Sequence, residues 1–155
     1  MSDTSQVLLA VDLVCAALVA GGQLFCLLAL IPALPGWPLS TGVKVHQDAM
    51  TWRPHRYLRV NGLATLVLSA AIVAIERSGD LSVVLVAGAL GLALVNFGVS
   101  SREWVINDEV NAAPEGTVPD DYPELRKKWD ERHLVRTIAS IGALLCLTVA
   151  LGAAQ

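Results

Sequence analysis

The sequence predicts an all-α integral membrane protein, built as a four-transmembrane-helix bundle. A short cytoplasmic interfacial helix and extended cytoplasmic ends on the third and fourth helices complete it. Three observations carry this expectation. Hydrophobic residues make up 54% of the 155 positions, above the roughly 45–50% usual for a soluble domain. The excess is gathered into four runs, at 7–34, 57–75, 81–99 and 134–154. Each run is about 20 residues or longer, the length a helix needs to cross ~30 Å of hydrocarbon. The runs are rich in Leu, Ala and Val and do not alternate, so they read as helices and not as barrel strands. The chain is read as one membrane domain, 1–155, with spans at 7–34, 57–76, 81–101 and 133–153.

The first run differs from a signal peptide. It lacks a basic leading region, carries Asp3 and Asp12, and is too long for the apolar part of such a segment. It ends around "IPALPGWP", where prolines cannot continue a helix and Trp37 suits a membrane interface. Residues 41–51 then read as a short helix on the membrane surface. Pro54 fits the first turn of the second span, where its missing N–H costs nothing. "ERSGD", 76–80, is a tight outer turn. The third helix continues past its span to Asn111. "NAAPEGTVPDDYPE" is a loop, with three prolines and no apolar period. The last helix starts near Pro123 or Leu125 and enters the membrane around His133.

The charges predict an orientation. Only Arg77 of the eleven basic residues lies at the second connection, so ten flank the first and third. The positive-inside rule places those two connections in the cytoplasm and both termini outside, in a cell inner membrane. No basic stripe lies free of the membrane, so no nucleic-acid partner is expected. Cys15, Cys26 and Cys146 all fall inside apolar runs and none forms a CxxC pair. That removes four-helix thiol oxidoreductases, whose disulfide exchange needs the pair.

Polar residues within membrane helices usually face the interior, so their spacing is informative. Asn96, Ser100, Glu103, Asn107 and Asn111 step by four, three, four and four on the third helix. They fall within about 80° of one another, one stripe leading toward the cytoplasmic end. Trp129, His133, Arg136 and Ser140 repeat the pattern on the fourth helix. Tyr57, Asn61 and Thr65 give a short version on the second, and Asp12 and Gln23 share a face of the first. A lone Asn or Ser is ordinarily interhelical glue, worth about 0.6 kcal/mol. Stripes meeting at one depth predict more: a dry outer half and a polar inner half, closed from below by His46 and His55.

This pocket supplies the candidate chemistry. His133 and His46 are candidate bases, since histidine titrates near neutral pH. Arg136, with the positive dipole ends of the second and fourth helices, would hold an oxyanion. Gln23, His55, Asn61, Asn96, Glu103, Asn107, Asn111 and Trp129 are candidate substrate contacts. Either no cofactor or one bound metal ion is expected; a metal would use His46, His55 and His133 with Glu103 or Asp130. The expected partners are the bilayer and a lipophilic small molecule. Gly88, Gly91 and Gly142 would permit close helix contact, and a homo-oligomer is left open.

The segment "NDEVNAAPEG…YPELRKKWDERHLVRTIAS", with Asn96 and the four-helix pattern, resembles the anthrone oxygenase-like integral membrane family, DUF1772. The resemblance is sharpest in W-x-x-x-H-x-x-R, here Trp129, His133 and Arg136. Where members often read "NVPIN", this chain has "NFGVSSREWVINDEVN". The resemblance implies oxidation of a lipophilic anthrone- or phenol-like substrate by oxygen, without an organic cofactor. The alternatives are a histidine-based metal-dependent membrane enzyme and a non-enzymatic membrane subunit or small-molecule binder.

Overall fold

The structure is a computed structural model. It describes residues 1–51, 53–114 and 117–154, with the side chains of 49–51 and 53–55 outside the description. Among the described residues there are helices and no strands.

Helix α1 spans Asp3–Phe25. The Ser2 hydroxyl caps it, accepting from the Ser5 N–H at 3.4 Å. Its course then changes to a π turn over Cys26–Leu30, a short α turn over Ile31–Ala33 and a 3-10 turn over Leu34–Gly36. Pro32 and Pro35 explain the loosening, since each withdraws a backbone donor from the ladder. Helix α2 covers Leu39–Thr51, two residues longer at its start than the sequence suggested. Helix α3 is Arg53–Glu76, α4 is Leu81–Ala112 and α5 is Tyr122–Ala153. Pro54 and Pro123 each fall in the first turn of their helix, where no intrahelical donor is needed. Between α3 and α4, Arg77 takes a left-handed backbone with φ of 42°.

Four segments are long and apolar enough to cross a membrane: Asp3–Gly36, Arg56–Glu76, Leu81–Ala112 and Tyr122–Ala153. Helix α1 packs on α3 and α5, and α4 packs on the same two. The short α2 lies against α3 and α4. Two apolar cores result. One joins Leu9, Ile72, Val86 and Leu147 from the four long helices. The other joins Val43 of α2 to Ile106, Val110, Tyr122, Leu125 and Trp129 at the far end. Of the three glycines expected at close contacts, only Gly142 is tight. A Cβ there would lie 3.0 Å from Leu92, whereas at Gly88 the nearest atom is an ordinary 3.8 Å away and at Gly91 nothing is within 4 Å.

Candidate functional site

Between the two cores lies a cavity of about 400 Å³. One face of α5 supplies Arg126, Trp129, His133, Arg136 and Ser140, spaced three, four, three and four residues apart. That spacing keeps all five on one side of a helix. The facing stripe of α4 supplies Asn96, Ser100, Glu103 and Asn107. Gln23 and Cys26 enter from the end of α1, and His46 from α2.

The polar groups form three layers. Nearest the first core, Gln23, Asn96 and Ser140 close a ring. Gln23 Nε2 donates to Asn96 Oδ1 at 3.2 Å and Asn96 Nδ2 donates to Ser140 Oγ at 2.9 Å. Ser140 Oγ completes it by donating to Gln23 Oε1 at 2.6 Å. In the next layer Arg136 is ion-paired to Glu103. The last layer is aromatic. Trp129 stacks on His133 with centroids 4.9 Å apart and planes 14° apart. Its indole also meets His46, tilted, at 5.6 Å.

His133 and His46 each have a defined partner. His133 Nε2 lies 3.0 Å from the Gln23 carbonyl. A carbonyl can only accept, so Nε2 carries the hydrogen, and the neutral ring keeps its lone pair on Nδ1. That Nδ1 is buried with no hydrogen-bond partner. His46 Nε2 lies 3.0 Å from Asn107 Oδ1 and donates to it. Burial holds the His46 imidazole down at about 4; Asn107 opposes this and the nearby Arg126 guanidinium adds to it.

Of the candidates named from sequence, the cavity gathers His133, Arg136, His46, Gln23, Asn96, Glu103, Asn107 and Trp129. Asn61 is not on it; its amide turns back to the Tyr57 carbonyl at 2.9 Å, a bond within its own helix. Asn111 lies beyond the cavity, half-buried, its Oδ1 without a partner. The His55 side chain lies outside the described residues. Among the described residues no three His, Cys, Asp or Glu side chains come close enough to hold a metal ion. Asp130 is committed to Arg126 at 2.8 Å.

Two physical expectations need correction. Arg136 is not a free cation awaiting an oxyanion, because Glu103 neutralises it. Nor does the start of α5 assist it. Helix α5 begins at Tyr122, fourteen residues or about 21 Å before Arg136, and a helix dipole fades within its first turn. The half of the helices near the chain termini is also not wholly apolar. There Asp12 is 0% exposed and accepts from Ser69 Oγ at 2.5 Å.

Arg126, not among the candidates named from sequence, also lines the cavity. Its Nε holds Asp130, its guanidinium lies 4.7 Å from the Trp129 ring, and its Nη2 is buried without a partner. Extending the α5 stripe one turn toward its start would have found it. Among the described residues, six buried polar atoms on cavity-lining residues thus lack a hydrogen-bond partner. Arg126 Nη2, Arg136 Nε and Trp129 Nε1 are donors, His133 Nδ1 and Glu103 Oε1 are acceptors, and Thr65 Oγ1 can be either. The remaining walls are apolar, from residues such as Leu30, Leu58, Leu63 and Phe97. No family model, no curated protein and no solved structure matches the chain.

Proposed function

We propose that the chain is a membrane-embedded oxidoreductase of the anthrone oxygenase type, acting on a lipophilic, weakly acidic aromatic substrate. In this reading the four long helices form a bundle across an inner membrane. Helix α2 lies on the cytoplasmic surface, and both termini lie outside. The observation that supports the reading is the set of six buried, unpartnered polar atoms on residues that line one largely apolar cavity. A buried donor or acceptor left unpaired costs about 1–3 kcal/mol. A ligand with a flat apolar body, a hydroxyl or acidic C–H and a carbonyl oxygen would satisfy both kinds of group.

His133 Nδ1 then serves as the base. It takes a proton from the substrate, leaving an electron-rich enolate or phenolate. The three unpartnered donors, on Arg126, Arg136 and Trp129, stabilise the anionic oxygen in place of the start of α5. The apolar walls admit oxygen and exclude bulk water. The anion reduces oxygen, and a C–O bond forms at the ring carbon that carries its delocalised charge. That carbon then loses its remaining hydrogen as the O–O bond breaks and water leaves. One oxygen atom stays in the quinone and the other departs as water, so no further reductant is required. His133 returns its proton to the departing oxygen.

The test uses protein in lipid nanodiscs, with anthrones and lipophilic phenols as probes, and follows binding and oxygen uptake separately. His133→Gln should lower turnover by about 10²–10⁴ while binding persists. Undiminished turnover in that variant would remove His133 from the mechanism. Binding without turnover in the native protein would make the cavity a small-molecule receptor site.

A further inference from the structure

We propose that the cavity is filled through a side entrance facing the bilayer, between α3 and α4, with Arg59 and Trp104 as its latch. The inference rests on the reading that the long helices cross a membrane, and it restricts substrates to molecules dissolved in lipid.

Both ends of the cavity along the helix axes are blocked. The core around Leu9, Ile72, Val86 and Leu147 closes one. The core joining Val43 to Ile106, Val110 and Tyr122 closes the other, where α2 covers the aqueous approach. The flank is different. Among residues that line the cavity, Leu63 of α3 is 46% exposed and Phe97 of α4 43%. Both are apolar, which suits a lipid-facing opening and not an aqueous one. Gly62 sits in the same lining, and a Cβ placed there would meet nothing within 4 Å. The helix pair is bridged at this flank by the Arg59 guanidinium, 4.6 Å from the centre of the Trp104 ring. Such a contact is weak at an exposed site and opens thermally. Elsewhere the facing sides of α4 and α5 are tied by the Asn96–Ser140 bond and the Glu103–Arg136 pair. Among the described residues no side-chain bond of that kind joins α3 to α4.

Cys26 lines the cavity and gives a reporter that needs no knowledge of the substrate. In a Cys15→Ala, Cys146→Ala background in nanodiscs, both faces are open to reagents. A lipid-soluble maleimide should add to the Cys26 thiol much faster than a charged, membrane-impermeant one. Gly62→Trp should fill the entrance and slow the lipid-soluble reagent by about tenfold or more, a raised barrier of ~1.4 kcal/mol. Gly62→Leu should slow it less, and serves if the larger side chain prevents folding. Trp104→Ala should speed it. Gly98→Trp, on α4 but off the cavity, should leave it unchanged. The entrance is ruled out if the charged reagent labels Cys26 as quickly as the lipid-soluble one. It is also ruled out if both Gly62 variants fold and label at the native rate. Failure of every anthrone and phenol to bind would overturn the proposed substrate class without altering this readout.

Discussion

His46 and His133 flank one indole, yet different atoms fix them. His133 donates to a backbone carbonyl of α1, and His46 donates to the Asn107 side chain of α4. His46 lies on α2, outside the long apolar segments, and its acid–base behaviour makes a stability prediction. Unfolded, the ring protonates near 6.5; folded, only near 4. Between those values the unfolded chain binds a proton that the folded chain does not. Stability attributable to His46 is therefore complete above pH 6.5 and falls as pH drops toward 4, by at most on the order of 3 kcal/mol. His46→Gln can keep a hydrogen bond to Asn107 but cannot titrate. Its denaturation midpoint should decline less than that of the native protein between pH 6.5 and 4, in the same detergent. Parallel declines would assign the acid sensitivity to another group.

Among the elements, α1 and α3 share a fully buried polar contact. Asp12 has no ion-pair partner among the described residues; Ser69 donates to Oδ2, and the Thr65 hydroxyl lies beside the same carboxyl. Removing the Ser69 hydroxyl would leave the carboxyl with still less compensation. Ser69→Ala should cost about 1–3 kcal/mol of stability. Asp12→Asn keeps an acceptor for Ser69 with no formal charge to bury, so it should be neutral or stabilising. In that background Ser69→Ala should cost less, and a thermal-unfolding double-mutant cycle reads the difference. Equal costs in both backgrounds would show that the Ser69–Asp12 contact contributes nothing of its own. The pairing also marks the limit of what the sequence discloses. Run lengths and prolines located the helices to within a few residues, because hydrophobic period and missing donors are local properties. The stripes on α4 and α5 were legible for the same reason. The Glu103–Arg136 pair was not, since it depends on how two helices are rotated against each other. Asn61 failed differently: on the right helix, it satisfied its amide one turn away within that helix.

For the molecule as a whole, charge predicts a direction that packing alone does not. Lys44, Arg53, Arg56 and Arg59 flank the first connection. Arg102, Arg126, Lys127, Lys128, Arg132 and Arg136 flank the third, leaving only Arg77 at the second. Some of this charge is locally offset. Lys44 pairs with Asp48 at 3.5 Å and Arg126 with Asp130 at 2.8 Å. The offset does not weaken the argument, because orientation follows Lys and Arg near span ends and acidic residues count little. The α4–α5 connection should then be cytoplasmic and the α3–α4 turn outside. In a chain with its three native cysteines replaced, Thr117→Cys should resist an impermeant thiol reagent in intact cells and react after permeabilisation. Gly79→Cys, in the short turn near Arg77, should react in intact cells. Both sites are exposed, so neither outcome depends on burial. The reverse pattern would invert the protein. The cavity, its two cores and its apolar flank would stand unchanged, but α2 and the histidine layer would then face the outside of the cell.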